Sequence, residues 1–313
     1  MAERVLLTDW FQRRWLFYIA AIVTGLLTFL LLAIRESRPS LLLAREVAQL
    51  RKATKVESLE GVNPDHTPDL HSFARLALSR PVLLFFTEPI VFIVSLISAI
   101  SIALVYLFTE ALPPIYESFG FSPRQASLPF IAIGVGLSLG LLTRCLDLYI
   151  IDQRRQQGRV LLPEHKLFGL WLGAPILAGG LWVFAWTIPP GVKDLHWSVS
   201  VIALLLVGYS LTELDYVLGG YLTDSYLSYA SSGFSALSFL RSILSAAFPL
   251  VSPHLFSALG ANLAVTVLAA MATIFCIVPP LFTRYGEKLR ARSAFAKQSL
   301  TMYRQYTVDE NGY

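Results

Sequence analysis

The chain has 313 residues, of which 55% are hydrophobic and 15% charged, with a formal net charge of +4 at neutral pH. Soluble domains carry about 25% charged residues, so this composition excludes an ordinary water-soluble domain, and so modest a net charge gives no support for a nucleic-acid partner. Two cysteines, Cys145 and Cys276, make neither a disulfide framework nor a CxxC pair.

The apolar residues fall in seven blocks: about 15–34, 82–109, 126–146, 167–188, 198–219, 229–252 and 262–283. Each approaches the ~20 residues that a helix needs to cross a hydrocarbon core of about 30 Å. The expected fold is therefore all-α, a multi-pass membrane helix bundle. The first block follows a flank, 1–14, that carries Arg4, Arg13 and Arg14. It is longer than the apolar core of a signal peptide and no small-residue cleavage site follows, so it reads as a retained span.

The connection 35–81 is the only long one. Pro39 and Ser40 are helix-start residues before a basic amphipathic stretch. Leu42, Leu43, Val47 and Leu50 suit a membrane interface while Arg45, Arg51 and Lys52 suit anionic headgroups; a solvated linker helix is the equal alternative. The following VESLEGVNPDHTPDL is polar and rich in turn residues.

In the second block, LLFFTEPIVF places Glu88 beside Pro89, about two turns in. It reads as a proton-carrying carboxylate or as a structural group at a kink near the rim, and its shallow position favours the second. The outer turns ALPPIYESFGFSPRQ and IPPGVKDLHW each contain a proline pair expected to stop a helix. In the third block Gly136 and Gly140 stand four apart, so a neighbouring helix can approach closely. No strand precedes them, so they are not a dinucleotide fingerprint.

The fifth block contains YSLTELDYVLGGY. Glu213 and Asp215 are two apart and point to different faces of a helix, while Glu213 shares a face with Tyr209 and Tyr216. The sixth block carries Arg241 near its middle, at a cost of roughly 2.5–3.5 kcal/mol in a bilayer. A turn near Asp224 would bring it to the depth of the Glu213 region. Arg241 is thus expected to pair with Glu213 or Asp215 or to bind an anionic part of a substrate, against the alternative of a purely structural clamp.

Lys and Arg concentrate at alternate connections: eight in 35–80, five in 144–166 and six from 284 onward, against one each in 110–124 and 189–197. By the positive-inside rule the rich segments are cytoplasmic, which puts the N-terminus outside and the C-terminus inside. The five histidines form no HExxH or other metal-ligand cluster. No GxSxG, P-loop or paired catalytic carboxylate is present, so the sequence supports no enzyme, metal or cofactor.

Several collinear segments carry a resemblance: ESRPSLLLAREVAQLRKAT, RPVLLFFTEPIV, LLPEHKLFGLWLGAPILAGGLWVFAW, YLTDSYLSYASSGFSALSFLRSILSAAFPL and LFTRYGEKLRARSAFA. Together they resemble the C-terminal part of a fungal major facilitator superfamily transporter, of the twelve-span drug:proton antiporter type, from its sixth span onward. The resemblance implies a lone span at 15–34, a cytoplasmic linker at 35–81, a six-span C-terminal bundle at 82–285 and a cytoplasmic tail at 286–313. It also implies that Asp224, Tyr226, Arg241 and Pro249 stand where the family has the same residue types, with Pro163, Glu164, Lys166 and Leu167 opening the family's ninth span. Gly286, Arg290 and Arg292 then form the basic exit.

The family's first five spans have no counterpart, so the resemblance implies a truncated carrier lacking its N-terminal bundle. The function implied is proton-coupled efflux of small amphipathic compounds such as drugs, polyamines or secondary metabolites. The implied partners are the bilayer, a small-molecule substrate, protons, and a missing N-terminal bundle or a full-length carrier. The implied location is the plasma membrane, with the vacuolar membrane as the alternative. Two other readings share these features: a non-transporting membrane subunit or fragment that associates with a full-length carrier, and, less favoured, a seven-span receptor.

Overall fold

The computed structural model describes residues 2–32, 39–54, 70–157, 163–191 and 195–301, and every regular element among them is helical. The chain divides into two compact units, Met1–Ser72 and Phe73–Tyr313. The first holds α1 (Ala2–Leu32) and α2 (Pro39–Thr54). Most of VESLEGVNPDHTPDL, with His66, lies outside the described residues, as does the tail beyond 301. The apolar part of α1 is Phe17–Leu32, about 24 Å of helix at 1.5 Å per residue. Residues 33 and 34, which the expected span includes, are outside the described set.

The second unit contains α3 (Leu70–Thr87, beginning at the boundary), α4 (Pro89–Ser118), α5 (Pro129–Gln156), α6 (Phe168–Thr187), α7 (Ser198–Tyr226), α8 (Ala230–Phe275) and α9 (Val278–Arg292). Four stretches among the described residues are long and apolar enough to cross a membrane: Pro89–Ser118, Pro129–Gln153, Phe168–Thr187 and Ser198–Arg292. The last is 95 residues, about 140 Å if straight, and it reverses twice. The first reversal is at Leu227, whose φ is 33°. The second is at Gly260, where φ 75° and ψ 163° break α8 into two arms; only glycine adopts that backbone without a steric penalty.

Side-chain bonds fix how these helices run. Trp182 and Trp171 of α6 donate to Thr273 and Thr283 respectively, so the second arm of α8 and α9 run antiparallel to α6. Asn262 Nδ2 donates to the Ala185 and Ile188 carbonyls at 2.7 and 2.8 Å, satisfying groups that the end of α6 leaves open. Ser98 lies by Asp215 and Tyr116 by Ser200, so α4 and α7 are antiparallel. In lipid no hydrophobic force separates helix from solvent, so close backbone approach must hold the bundle. Gly208 of α7 faces the Ile133 carbonyl and Gly136 of α5 faces the Leu205 carbonyl, with no room for a Cβ at either. A Cβ at Gly140 would meet Thr212 at 2.7 Å.

Three expectations are corrected. The pair Pro113–Pro114 does not stop a helix: α4 runs through both to Ser118. Proline's fixed φ suits a helix, and the carbonyls it leaves unbonded belong to the exposed Thr109 and Glu110. Glu88 is not two turns inside a helix but the junction between α3 and α4, with extended φ −108° and ψ 108°, because Pro89 disfavours the helical region in the residue before it. α5 continues in helix to Gln156, so the first part of the basic stretch 144–166 is helical.

Candidate functional site

α7 crosses the middle of the bundle and turns Glu213 and Asp215 to opposite sides. Glu213 points toward α5 and α6, where Arg144 of α5 donates to its Oε2. The Arg144 guanidinium also bridges to Asp147 at 2.9 Å, one turn on, and lies over the Tyr216 ring at 4.3 Å. This pair is enclosed: the side chains of Arg144 and Glu213 are 9% and 0% exposed. Gly169 of α6 closes the enclosure, since a Cβ there would strike Glu213 Oε2 and Arg144 Nη2. Arg144 Nε and Glu213 Oε1 find no partner among the described residues.

Asp215 points the other way, toward α4 and α8. Arg241 of α8 forms an ion pair with its Oδ1 and donates to Ser98 Oγ at 2.6 Å, and Ser98 donates to Asp215 at 2.8 Å. Arg241 is therefore held by Asp215 and Ser98, not by Glu213. Unlike the other pair it is half-open, with side chains 29% and 41% exposed. Ser95 and Ser101 lie one turn to either side of Ser98 on α4, buried and without a partner among the described residues.

One member of each pair, Arg144 and Asp215, lines a cavity of about 560 Å³, together with Asp147, Lys166, Tyr216 and Phe234. It combines carboxylates, cations and aromatic faces, a set that can bind an amphipathic organic molecule. Tyr209 sits beside this arrangement and bonds Thr143 at 3.0 Å.

The same end of the bundle is bound by a second polar layer. Glu164, in the turn opened by Pro163, takes two bonds from Arg290 Nη2 at 2.6 and 2.7 Å. Lys166 reaches Asp224 at 2.6 Å. Tyr221 stacks on Phe282, their centroids 4.9 Å apart. A Cβ at Gly286 would fall 2.5 Å from the Tyr221 hydroxyl. Buried Glu88 accepts from the Tyr226 hydroxyl at 3.0 Å and from Ser293 Oγ at 2.8 Å. Each of these residues ties one helix end to another, so Glu88, Glu164, Asp224 and Tyr226 form a clamp, of which Asp224, with its partner Lys166, also lines the cavity. Pro249 lies within α8, apart from both layers.

Sequence reasoning singled out neither Arg144 nor Ser98. Arg144 stands at the edge of an apolar block and was grouped with a basic connection; its signal was the pair Arg144 and Asp147 at i, i+3. Among the described residues no cluster of His, Cys, Asp or Glu suits a metal ion.

No family model matches the chain, and no solved structure matches it. Curated relatives do. The chain is 30% identical over 292 residues to "Multidrug transporter TPO1_2" of Candida glabrata, covering 92% of this chain and 50% of the relative. It is 32% identical over 302 residues to "Major facilitator-type transporter sorT" of Penicillium rubens, covering 95% and 57%. To "Major facilitator superfamily multidrug transporter FLU1" of Candida albicans it is 29% identical over 288 residues, covering 90% and 47%. The chain spans about half the length of the curated relatives it matches.

Proposed function

We propose that this chain, which resembles fungal major facilitator superfamily transporters over about nine-tenths of its length, supplies the C-terminal bundle of a carrier that expels small amphipathic compounds in exchange for protons. The observation that carries the reading is the pairing of two intramembrane arginines with two carboxylates of one helix, one member of each pair, Arg144 and Asp215, lining the same cavity. Intramembrane ionisable groups are costly, and proton relays and substrate paths are their commonest uses.

The two pairs suit different tasks. Asp215 lines the cavity and its pair with Arg241 is half-exposed, so a charged part of a substrate meets this carboxylate first. Glu213 is enclosed with Arg144, and Arg144 has a second carboxylate in reach at Asp147. A proton on Glu213 removes its charge and leaves Arg144 to Asp147; loss of that proton restores the first pair. Such an exchange couples a proton to the position of a side chain that lines the cavity.

Alternating access rocks one bundle against another around a midplane site, and the described second unit provides one wall. The other wall comes from further sequence or from a full-length carrier in the same membrane, the plasma membrane in the first instance and the vacuolar membrane otherwise. The non-transporting subunit remains the competing reading.

Nile red accumulation in yeast cells stripped of their own drug carriers tests the proposal. The chain is expressed alone and together with the N-terminal half of the Candida glabrata relative. Protonophore-sensitive loss of dye from the co-expressing cells supports the carrier reading. Equal dye retention in all cells, with both halves present in the membrane, overturns it in favour of a subunit.

A further inference from the structure

We propose that α2 is a membrane-surface helix that binds the anionic headgroups of the leaflet at which α1 ends. This goes beyond the transport reading and does not depend on it. Three observations carry it. First, α2 is a helix from Pro39 to Thr54, on which Leu43, Val47 and Leu50 recur at i, i+4 and i+7, the spacing of one face. Leu42 and Leu50 are 43% and 52% exposed, apolar surface that water disfavours. Second, Arg45 and Lys52 fall on the side opposite that stripe and Arg51 flanks it, four residues after Val47, with Glu46 the one acidic residue of the helix, so α2 carries a net positive charge.

Third, α2 is tethered. Six residues, 33–38, separate Leu32 of α1 from Pro39, a link of at most about 25 Å when fully extended. A basic apolar-faced helix so close to the end of an apolar helix stays at high effective concentration beside the bilayer. Weak surface affinity is then enough to hold it there, and each basic residue near an anionic surface strengthens binding by about fivefold. Arg51, four residues after Val47, flanks the leucine stripe and reaches the headgroups by snorkelling along the interface. Arg45 and Lys52, on the far side of the helix, feel the surface potential within one Debye length, roughly 10 Å. A second protein surface would instead want the apolar stripe matched by side chains and would have no preference for lipid charge.

The full chain is tested in nanodiscs of phosphatidylcholine and of an equimolar phosphatidylcholine–phosphatidylserine mixture. Cys145 and Cys276, both free, are first replaced by serine. Single cysteines introduced by Leu50→Cys and Gln49→Cys are labelled with an environment-sensitive fluorophore. The expected result is a blue-shifted emission at position 50 and not at 49, stronger with phosphatidylserine and lost in the triple variant Arg45→Gln, Arg51→Gln, Lys52→Gln. A blue shift at position 50 that is equal in both lipids and survives the triple substitution indicates a protein partner and overturns the proposal. Water-like emission at both positions in both lipids overturns it as well. Circular dichroism of the labelled variants, unchanged from the parent, separates these outcomes from loss of the helix.

Discussion

Replacing Arg144 with methionine leaves Glu213 as a buried carboxylate with no cation. The magnitude follows from enclosure. The Glu213 side chain is 0% exposed and its Oε1 already lacks a partner among the described residues. Removing one member of a buried pair costs about 3–5 kcal/mol, whereas replacing both by apolar groups is often close to neutral. At roughly 2–4 °C per kcal/mol for a domain of this size, the single variant melts about 6–20 °C lower. The double variant Arg144→Met, Glu213→Leu recovers most of that loss. Arg241→Met removes the same charge from a half-open pair, 29% and 41% exposed, where solvent reduces the loss to about 1 kcal/mol or less. Fluorescence-detected size exclusion after stepwise heating in detergent gives the three apparent melting temperatures. If Arg144→Met melts within about 2 °C of Arg241→Met, or if the double variant is less stable than the single, enclosure does not govern these pairs and the reasoning is refuted.

Other substitutions probe the packing and the clamp. Gly208→Ala forces a Cβ onto the Ile133 carbonyl, whereas Gly134→Ala meets nothing within 4 Å; the first lowers stability by about 1–3 kcal/mol in the same heating assay and the second does not. Tyr226→Phe removes a donor from buried Glu88 and costs about 1–3 kcal/mol, read as faster hydrogen exchange around Ser293. Arg290→Lys keeps the charge but loses the forked contact with Glu164, and is expected to speed proteolysis of α9 with no loss of expression.

The all-helical membrane architecture was legible because lipid admits few spanning structures and apolar blocks of the right length announce them. The divergence of Glu213 and Asp215 was also legible, since residues two apart on a helix cannot share a face. Which of them Arg241 meets was not: the i, i+2 spacing fixes the angle between the two carboxylates but not which neighbour lies on each side. Arg144 escaped because counting basic residues at block edges treats them as loop, while α5 carries its helix on to Gln156. Pro113 and Pro114 misled because a proline pair removes donors without removing helical φ, and exposed carbonyls tolerate the loss.

The central claim is that Glu213 carries the proton exchanged for substrate. Its most direct test is proton movement in proteoliposomes that hold the chain together with the N-terminal half of the Candida glabrata relative, with a pH-sensitive dye trapped inside. Adding Nile red across a preset pH gradient should speed the collapse of that gradient, and Glu213→Gln should abolish the acceleration while dye binding persists. A gradient indifferent to substrate, or a Glu213→Gln protein that couples as well as the parent, would contradict the account.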